Sequence, residues 1–166
     1  MKIAALALVS AVSVAPAFGA TFVGSFEGHD YFITDTAGTL AENRVAAVDL
    51  GGTLVAIGGQ AEQDWLFERL GTSEKFYIGF SDEVVEGAFA WDSGEEAVYT
   101  NWASNEPNDH GSGEDYAVMN WNSRGEWNDI GANYNARGII EVVPTPGTAA
   151  IAAVGLGAVA RRRRDR

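Results

Sequence analysis

The sequence predicts an α+β domain, and three observations carry that prediction. Two helical stretches lie early, within residues 40–70. Short strand candidates flank and follow them, without the strand–helix alternation of α/β chains. Residues 81–136 are dense in Asp, Glu, Asn, Gly and Trp and poor in long apolar runs. So long a polar stretch inside a compact domain is uncommon and usually functional. The 166 residues suit one domain plus appendages. Hydrophobic residues make up 46%, enough for one core. Twenty glycines and eighteen aromatics (5 Trp, 5 Tyr, 8 Phe) point to many loops around an aromatic interior. Cysteine is absent, which excludes disulfides and cysteine-based zinc sites.

The elements follow in order. Residues 20–28 are a short glycine-containing stretch, and Tyr31-Phe32-Ile33-Thr34 is a strand candidate. His29, just before it, has no ligand-like neighbours in sequence and reads as an ordinary polar residue. Thr39 with Glu42 forms a capping box, so residues 40–50 read as a helix that Gly51-Gly52 ends. Residues 53–57 are β-branched and apolar, a strand signal. Residues 60–70 read as a second amphipathic helix with Trp65, Leu66, Phe67 and Leu70 apolar, stopped by Gly71. Strands are expected at residues 76–80, 117–121 and 138–143.

Both termini read as targeting segments. Met1-Lys2, an apolar run over residues 3–14 and the small residues before Ala20 form a secretory signal peptide over residues 1–20. At the other end Val143-Pro144-Thr145-Pro146-Gly147 leads into thirteen mostly apolar residues, 148–160, and then four arginines, 161–164. An apolar segment capped by basic residues is a stop-transfer arrangement, but this one is short for a bilayer span. Its layout resembles the bacterial PEP-CTERM class of sorting signals, with Val-Pro-Thr-Pro in place of Pro-Glu-Pro. The resemblance implies a sorting protease, cell-surface or extracellular-matrix delivery, and only transient membrane association; a retained tail anchor is the other reading. The expected division is signal peptide 1–20, domain 21–143 and sorting signal or anchor 144–166.

The domain between these ends holds 22 acidic and five basic residues, a net charge near −17. Such a surface repels phosphates, which argues against nucleic-acid binding. The acids and amides cluster at Asp82, Glu83 and Glu86, then Glu106, Asn108, Asp109, Glu114 and Asp115, then Asn128 and Asp129. Oxygen-rich groups of this kind suit calcium, which takes six to eight oxygen ligands in irregular geometry. With two His and no Cys, zinc is disfavoured. A solvated acidic loop explains the same spacing as well.

The literal residues add more. Glu106-Pro107-Asn108-Asp109-His110-Gly111-Ser112-Gly113-Glu114-Asp115 resembles the calcium loop of C-type lectins, closely that of mannose-binding proteins. Trp127-Asn128-Asp129 follows at the family's distance, and Phe76-Tyr77-Ile78-Gly79 with Asp82-Glu83 precedes it like the family's aromatic strand and acidic turn. Residues 46–57, with Gly51-Gly52, Leu54 and Ile57, resemble the end of its first helix and the next strand. The resemblance spans residues 31–143. It implies a C-type lectin-like fold of two helices and short antiparallel strands with long calcium-binding loops. It also implies a principal Ca2+ held by Glu106, Asn108, Glu114, Asn128 and Asp129, and an auxiliary Ca2+ at Asp82, Glu86, Asp109, Glu114 and Asp115. Pro107 is expected to be cis. Glu-Pro-Asn implies glycans with vicinal equatorial hydroxyls, of the mannose, N-acetylglucosamine, glucose or fucose class. His110 is open to two readings, a wall for the bound sugar or an exposed loop residue. Trp102 and Trp127 are expected in the core. The family's two disulfides are replaced here by Ala47 with Ile140 and Tyr116 with Ala132, where hydrophobic contacts are expected to fill the gaps.

Binding rather than catalysis follows from this reading. Paired carboxylates can hydrolyse glycosides, but the same oxygens serve better as ligands, and no Ser-His-Asp or Cys-His arrangement stands out. The rival is a C-type-lectin-like module that binds protein or acts structurally, without sugar.

Overall fold

The computed structural model describes residues 19–111 and 113–144. The stretches read as a signal peptide (1–20) and as a sorting signal or anchor (144–166) therefore lie outside the described residues, apart from Gly19, Ala20 and Pro144. Among the described residues no helix is long and apolar enough to cross a membrane.

Strand β1 (Ala20–Phe26) turns back through Glu27 and Gly28 into β2 (His29–Thr34). Both turn residues have positive φ, 49° and 92°, the conformation that matches a two-residue hairpin to strand twist. The last strand, β8 (Arg137–Val142), is the hub of the sheet. It pairs antiparallel with β2 and with the two-residue β3 (Thr53–Leu54), and parallel with β4 (Phe76–Ser81). Beyond β4 lie β5 (Ala90–Trp91), β6 (Tyr116–Met119) and β7 (Asn128–Ile130), all antiparallel, giving the order β1-β2-β8-β4-β6-β7. The sheet is thus mixed, where an antiparallel one was expected. The β4/β8 pair is parallel because a long chain segment crosses between them.

Helix α1 (Leu40–Asp49) starts where the sequence places it. Thr39 Oγ1 accepts from Glu42 N at 3.4 Å and Glu42 Oε2 accepts from Thr39 N at 2.8 Å, which closes the capping box. Helix α2 (Gln60–Leu70) ends at Gly71, whose φ of 67° suits glycine. Residues 55–57, expected to continue β3 as a strand, are buried and bond singly. Val55 N donates to Ile139 O at 2.9 Å and Val55 O accepts from Gly79 N at 2.9 Å, so one residue bridges β8 and β4.

One core cluster gathers Val55, Ile57, Leu66, Phe76, Ile78, Phe80, Trp91 and Trp127. A second joins α1 to the sheet through Leu40, Ala46, Ala47, Leu54, Tyr77, Val118 and Ile140. Ala47 and Ile140 are both fully buried there, so an apolar cluster stands where a first disulfide was aligned. The second pair departs from expectation. Ala132 is exposed, while Tyr116 hydrogen-bonds Glu83 Oε2 at 3.0 Å and lies 5.7 Å from the Arg44 guanidinium. A phenol gains more from those polar partners than from a methyl group.

Candidate functional site

The acidic loops rest on an aromatic base. Trp127 is fully buried, with Phe80, Trp91, Tyr99 and Trp102 rings 5.8–5.9 Å from its own, and Trp102 is partly buried beside it. Gln63, buried on α2, accepts from Trp127 Nε1 at 2.8 Å and donates to Gly125 O at 3.1 Å. Gly125 has φ of 74°, and a Cβ there would meet Phe67 at 2.6 Å, so the close approach of this turn to α2 needs glycine. Trp127 N donates to Asn101 O at 2.7 Å, and Ala103 N donates to Trp127 O at 2.8 Å. The segment leading to Glu106 is thereby laced to the segment leading to Asn128.

Above this base, Asp129 is 1% exposed and closes the loop. Its carboxylate accepts from Asn108 N at 2.9 and 3.1 Å and from Asp109 N at 2.7 Å. The Glu106–Pro107 peptide is cis, and the side-chain amide of Asn108 donates to Glu106 Oε2. Glu114 Oε2 accepts from His110 N at 3.0 Å, and Glu114 N donates to Asp109 Oδ1 at 3.0 Å. His110 itself is exposed at the rim. Partial burial, then the charges of Asp129 and Glu114, hold the Glu106 carboxyl above the usual carboxylate range. Glu106, Asn108, Glu114, Asn128 and Asp129 therefore share one neighbourhood.

A second acidic group adjoins it. Asp82 N donates to Asp115 O at 3.1 Å, and Asp82 Oδ2 accepts from Gly87 N at 2.8 Å. The Glu86 carboxyl is raised, first by the charge of Asp109 and then by burial and the charges of Asp82 and Asp115. These four residues crowd together and repel one another.

Two buried oxygens, one in each group, lack a partner: Asn128 Oδ1 and Asp82 Oδ1. Asn128 is 3% and Asp82 4% exposed. A buried polar atom without a partner costs about 1–3 kcal/mol, so a ligand is called for at both places. A hard cation fits, because the neighbouring donors are carboxylate and amide oxygens. Among the described residues, no three of His, Cys, Asp and Glu already stand as a closed metal cluster.

Sequence reasoning missed Gln63 and the Asn101–Ala103 tie. Gln63 had a readable signal, a polar residue on the buried face of α2 three positions before Leu66. The tie had none, since it uses backbone atoms.

Comparison with known proteins agrees with this geometry. The Lectin C-type domain pattern matches residues 39–139. The low affinity immunoglobulin epsilon Fc receptor of Mus musculus is 36% identical over 104 residues, 63% of this chain and 30% of the receptor. C-type lectin domain family 4 member E of Mus musculus is 35% identical over 121 residues, 70% of this chain and 56% of that protein. The chain thus spans between about a third and a little over half of these relatives' lengths. The cow C-type carbohydrate-recognition domain of CD23, solved in the presence of a GlcNAc2Man3 oligosaccharide, superposes with a TM-score of 0.67 at 31% identity, covering 72% of this chain and 92% of that one. With more than half of the sequence matched by the family pattern and the fold shared, the chain belongs to the C-type lectin domain family.

Proposed function

We propose that this domain binds carbohydrate through calcium, is not an enzyme, and prefers glycans of the mannose, N-acetylglucosamine and fucose class. The observation that carries the reading is the buried, unpartnered Asn128 Oδ1, next in the chain to the Asp129 carboxylate that holds the Asn108 amide and raises Glu106. Calcium, when bound, supplies a centre that takes the lone pairs of two neighbouring sugar hydroxyls. The protein supplies the rest. Glu106 and Glu114 accept the hydroxyl protons, and the Asn108 and Asn128 amides donate to the remaining lone pairs, since only a mix of acids and amides serves both roles. Asp129 holds the loop through the Asn108 and Asp109 amides. Asp82, Glu86, Asp109, Glu114 and Asp115 would hold a second calcium and quench the repulsion there.

The test is retention on mannose-agarose in calcium and release in EDTA. Exchanging Glu106→Gln and Asn108→Asp reverses the donor and acceptor order and shifts preference toward galactose. Retention indifferent to EDTA sinks the reading. A domain that calcium stabilises but no glycan engages would instead be a protein-binding or structural module.

The ends of the chain support a location. A signal peptide over residues 1–20 exports the domain, and residues 144–166 are read as a sorting signal cleaved near Pro144 to Gly147, with tail anchoring as the alternative. The lectin then stands on a bacterial surface or in its matrix, where weak single contacts add up by multivalency in adhesion. Intact-mass analysis decides: a mature mass that keeps Arg161 to Arg164 means a tail anchor.

A further inference from the structure

Arg44, on α1, reaches three separate segments of the acidic region. Its Nε and Nη2 donate to the two carboxylate oxygens of Asp92, just past β5, at 2.9 and 2.7 Å. Nη1 lies 2.8 Å from Glu83 Oε1, and Nη2 donates to Ser81 Oγ, at the end of β4, at 3.3 Å. The guanidinium also lies over the ring of Tyr116, the first residue of β6, 5.7 Å from its centroid. Glu83 Oε2 accepts in turn from the Tyr116 hydroxyl at 3.0 Å, which closes the network. Burial disfavours the Arg44 charge, and the hydrogen bonds and charges of Asp92 and Glu83 more than offset it. Among the described residues, no other Lys or Arg bridges two carboxylates.

These contacts flank the acids proposed for the second calcium. Asp82 lies between Ser81 and Glu83, and Asp115 precedes Tyr116. The backbone alone holds the two acids weakly. The β4/β6 register shifts between Tyr77 and Ser81, and past the shift come the Ser81–Tyr116 pair and the bond from Asp82 N to Asp115 O at 3.1 Å. The charges of Asp109, Asp82 and Asp115 all bear on Glu86 there, so the strand ends are pushed apart. No disulfide can restrain them, since the chain has no cysteine. Resting on the proposed calcium reading, we infer that Arg44 is a positioning residue of the second calcium site: through Ser81, Glu83 and Tyr116 it holds Asp82 and Asp115 at one spacing. The sign of its effect separates positioning from charge. A cation beside the site repels calcium, so by charge alone the loss of Arg44 tightens calcium binding. By positioning, the same loss weakens it.

The experiment is isothermal titration of the full chain with calcium chloride, for the wild type, Arg44→Met and Tyr116→Phe, with amide hydrogen exchange in EDTA alongside. Wild type takes up two calcium ions. In each variant one of the two steps weakens by about threefold to tenfold, the scale of one net hydrogen bond. In EDTA the Asp82 amide, bonded to Asp115 O, exchanges faster than in wild type. The Gly79 amide, bonded to Val55 O in the core, keeps its wild-type rate, which certifies folding. Tyr116→Phe removes one hydroxyl and no formal charge, so it still reports on positioning if Arg44→Met fails to fold. Either variant, once folded, binding both ions as tightly as wild type or more tightly overturns the positioning role. A wild type that takes up a single calcium overturns this inference alone. One that takes up none overturns the calcium reading and the inference with it.

Discussion

Where α1, β2 and β8 meet, buried polar side chains are fully partnered; in the acidic region around Asp82 and Asn128 they are not. Glu141, 6% exposed, bonds His29 through Oε1 and accepts from Ala56 N through Oε2 at 3.1 Å. Asn43, 1% exposed, accepts from Thr34 Oγ1 at 2.9 Å and donates to Gly38, Thr39 and Ala136 carbonyls at 2.9–3.2 Å. In the acidic region Asp82 and Asn128 each keep one buried oxygen without a partner. A satisfied buried network fixes the fold, and an unsatisfied one waits for a ligand. Asn120 Oδ1 is a third such atom, but Asn120 also donates to Gly71 O at 2.7 Å and sits at the end of β6, outside both acidic groups.

The largest expected effect comes from the base that both regions share. Trp127→Ala empties a fully buried site ringed by four aromatics, and such deletions cost about 3–5 kcal/mol. Urea unfolding should show that loss in calcium and in EDTA alike. A loss seen only in calcium would mean that Trp127 serves the loops and not the core.

Next in size is calcium itself. At a hundredfold excess over its dissociation constant, a ligand of the native state adds about 2.7 kcal/mol. Thermal melting in calcium should rise by several degrees over EDTA, with magnesium doing much less because it parts reluctantly with water. Asn128→Ala should erase most of the rise while leaving the EDTA curve nearly in place. Identical wild-type curves in calcium and EDTA would remove the distinction between the two regions.

Asn43→Ala tests the satisfied region. It removes a donor from the carbonyls of Gly38 and Ala136, which keep each other's backbone N–H, so the loss is about 0.5–1.5 kcal/mol per hydrogen bond. Unlike Asn128→Ala, it should leave the calcium-induced rise intact. A reduced rise would show that the two regions are energetically coupled through the sheet.

How far the sequence reached follows the same division. Helices α1 and α2 were readable because their stop and start chemistry is local: Thr39 with Glu42, Gly51, Gly71. The Phe76–Ser81 strand was readable from its unbroken apolar run. β1 went unread because Gly24 and a register shift break its alternation, and β7 because Asn-Asp-Ile has low strand propensity and forms only by pairing with β6. The expected site residues share one neighbourhood, but resemblance rather than periodicity singled them out, since spacing alone left a solvated loop equally open.

The smallest effect concerns Glu62, a half-buried acid of α2 in the partnered region. It accepts from the Tyr31 hydroxyl at 2.7 Å and from Gly58 N at 2.8 Å. Burial is the largest influence and raises its pKa; Glu141 adds to the rise, while the Gly58 and Tyr31 hydrogen bonds and His29 oppose it. The net folded pKa stands above the ordinary glutamate value near 4.3. Between the two values the folded state holds more proton than the unfolded state, so stability declines as pH rises through that window. Its contribution is fully present below the unfolded pKa. Glu62→Gln removes this titration, while the other carboxylates cancel when the two proteins are compared at each pH. The stability of wild type relative to Glu62→Gln should therefore fall as pH is raised from about 4 to about 7, read by urea unfolding in EDTA. A difference that grows with pH would mean that the Gly58 and Tyr31 hydrogen bonds outweigh burial, and that the carboxylate rather than the acid is the form this region was built to hold.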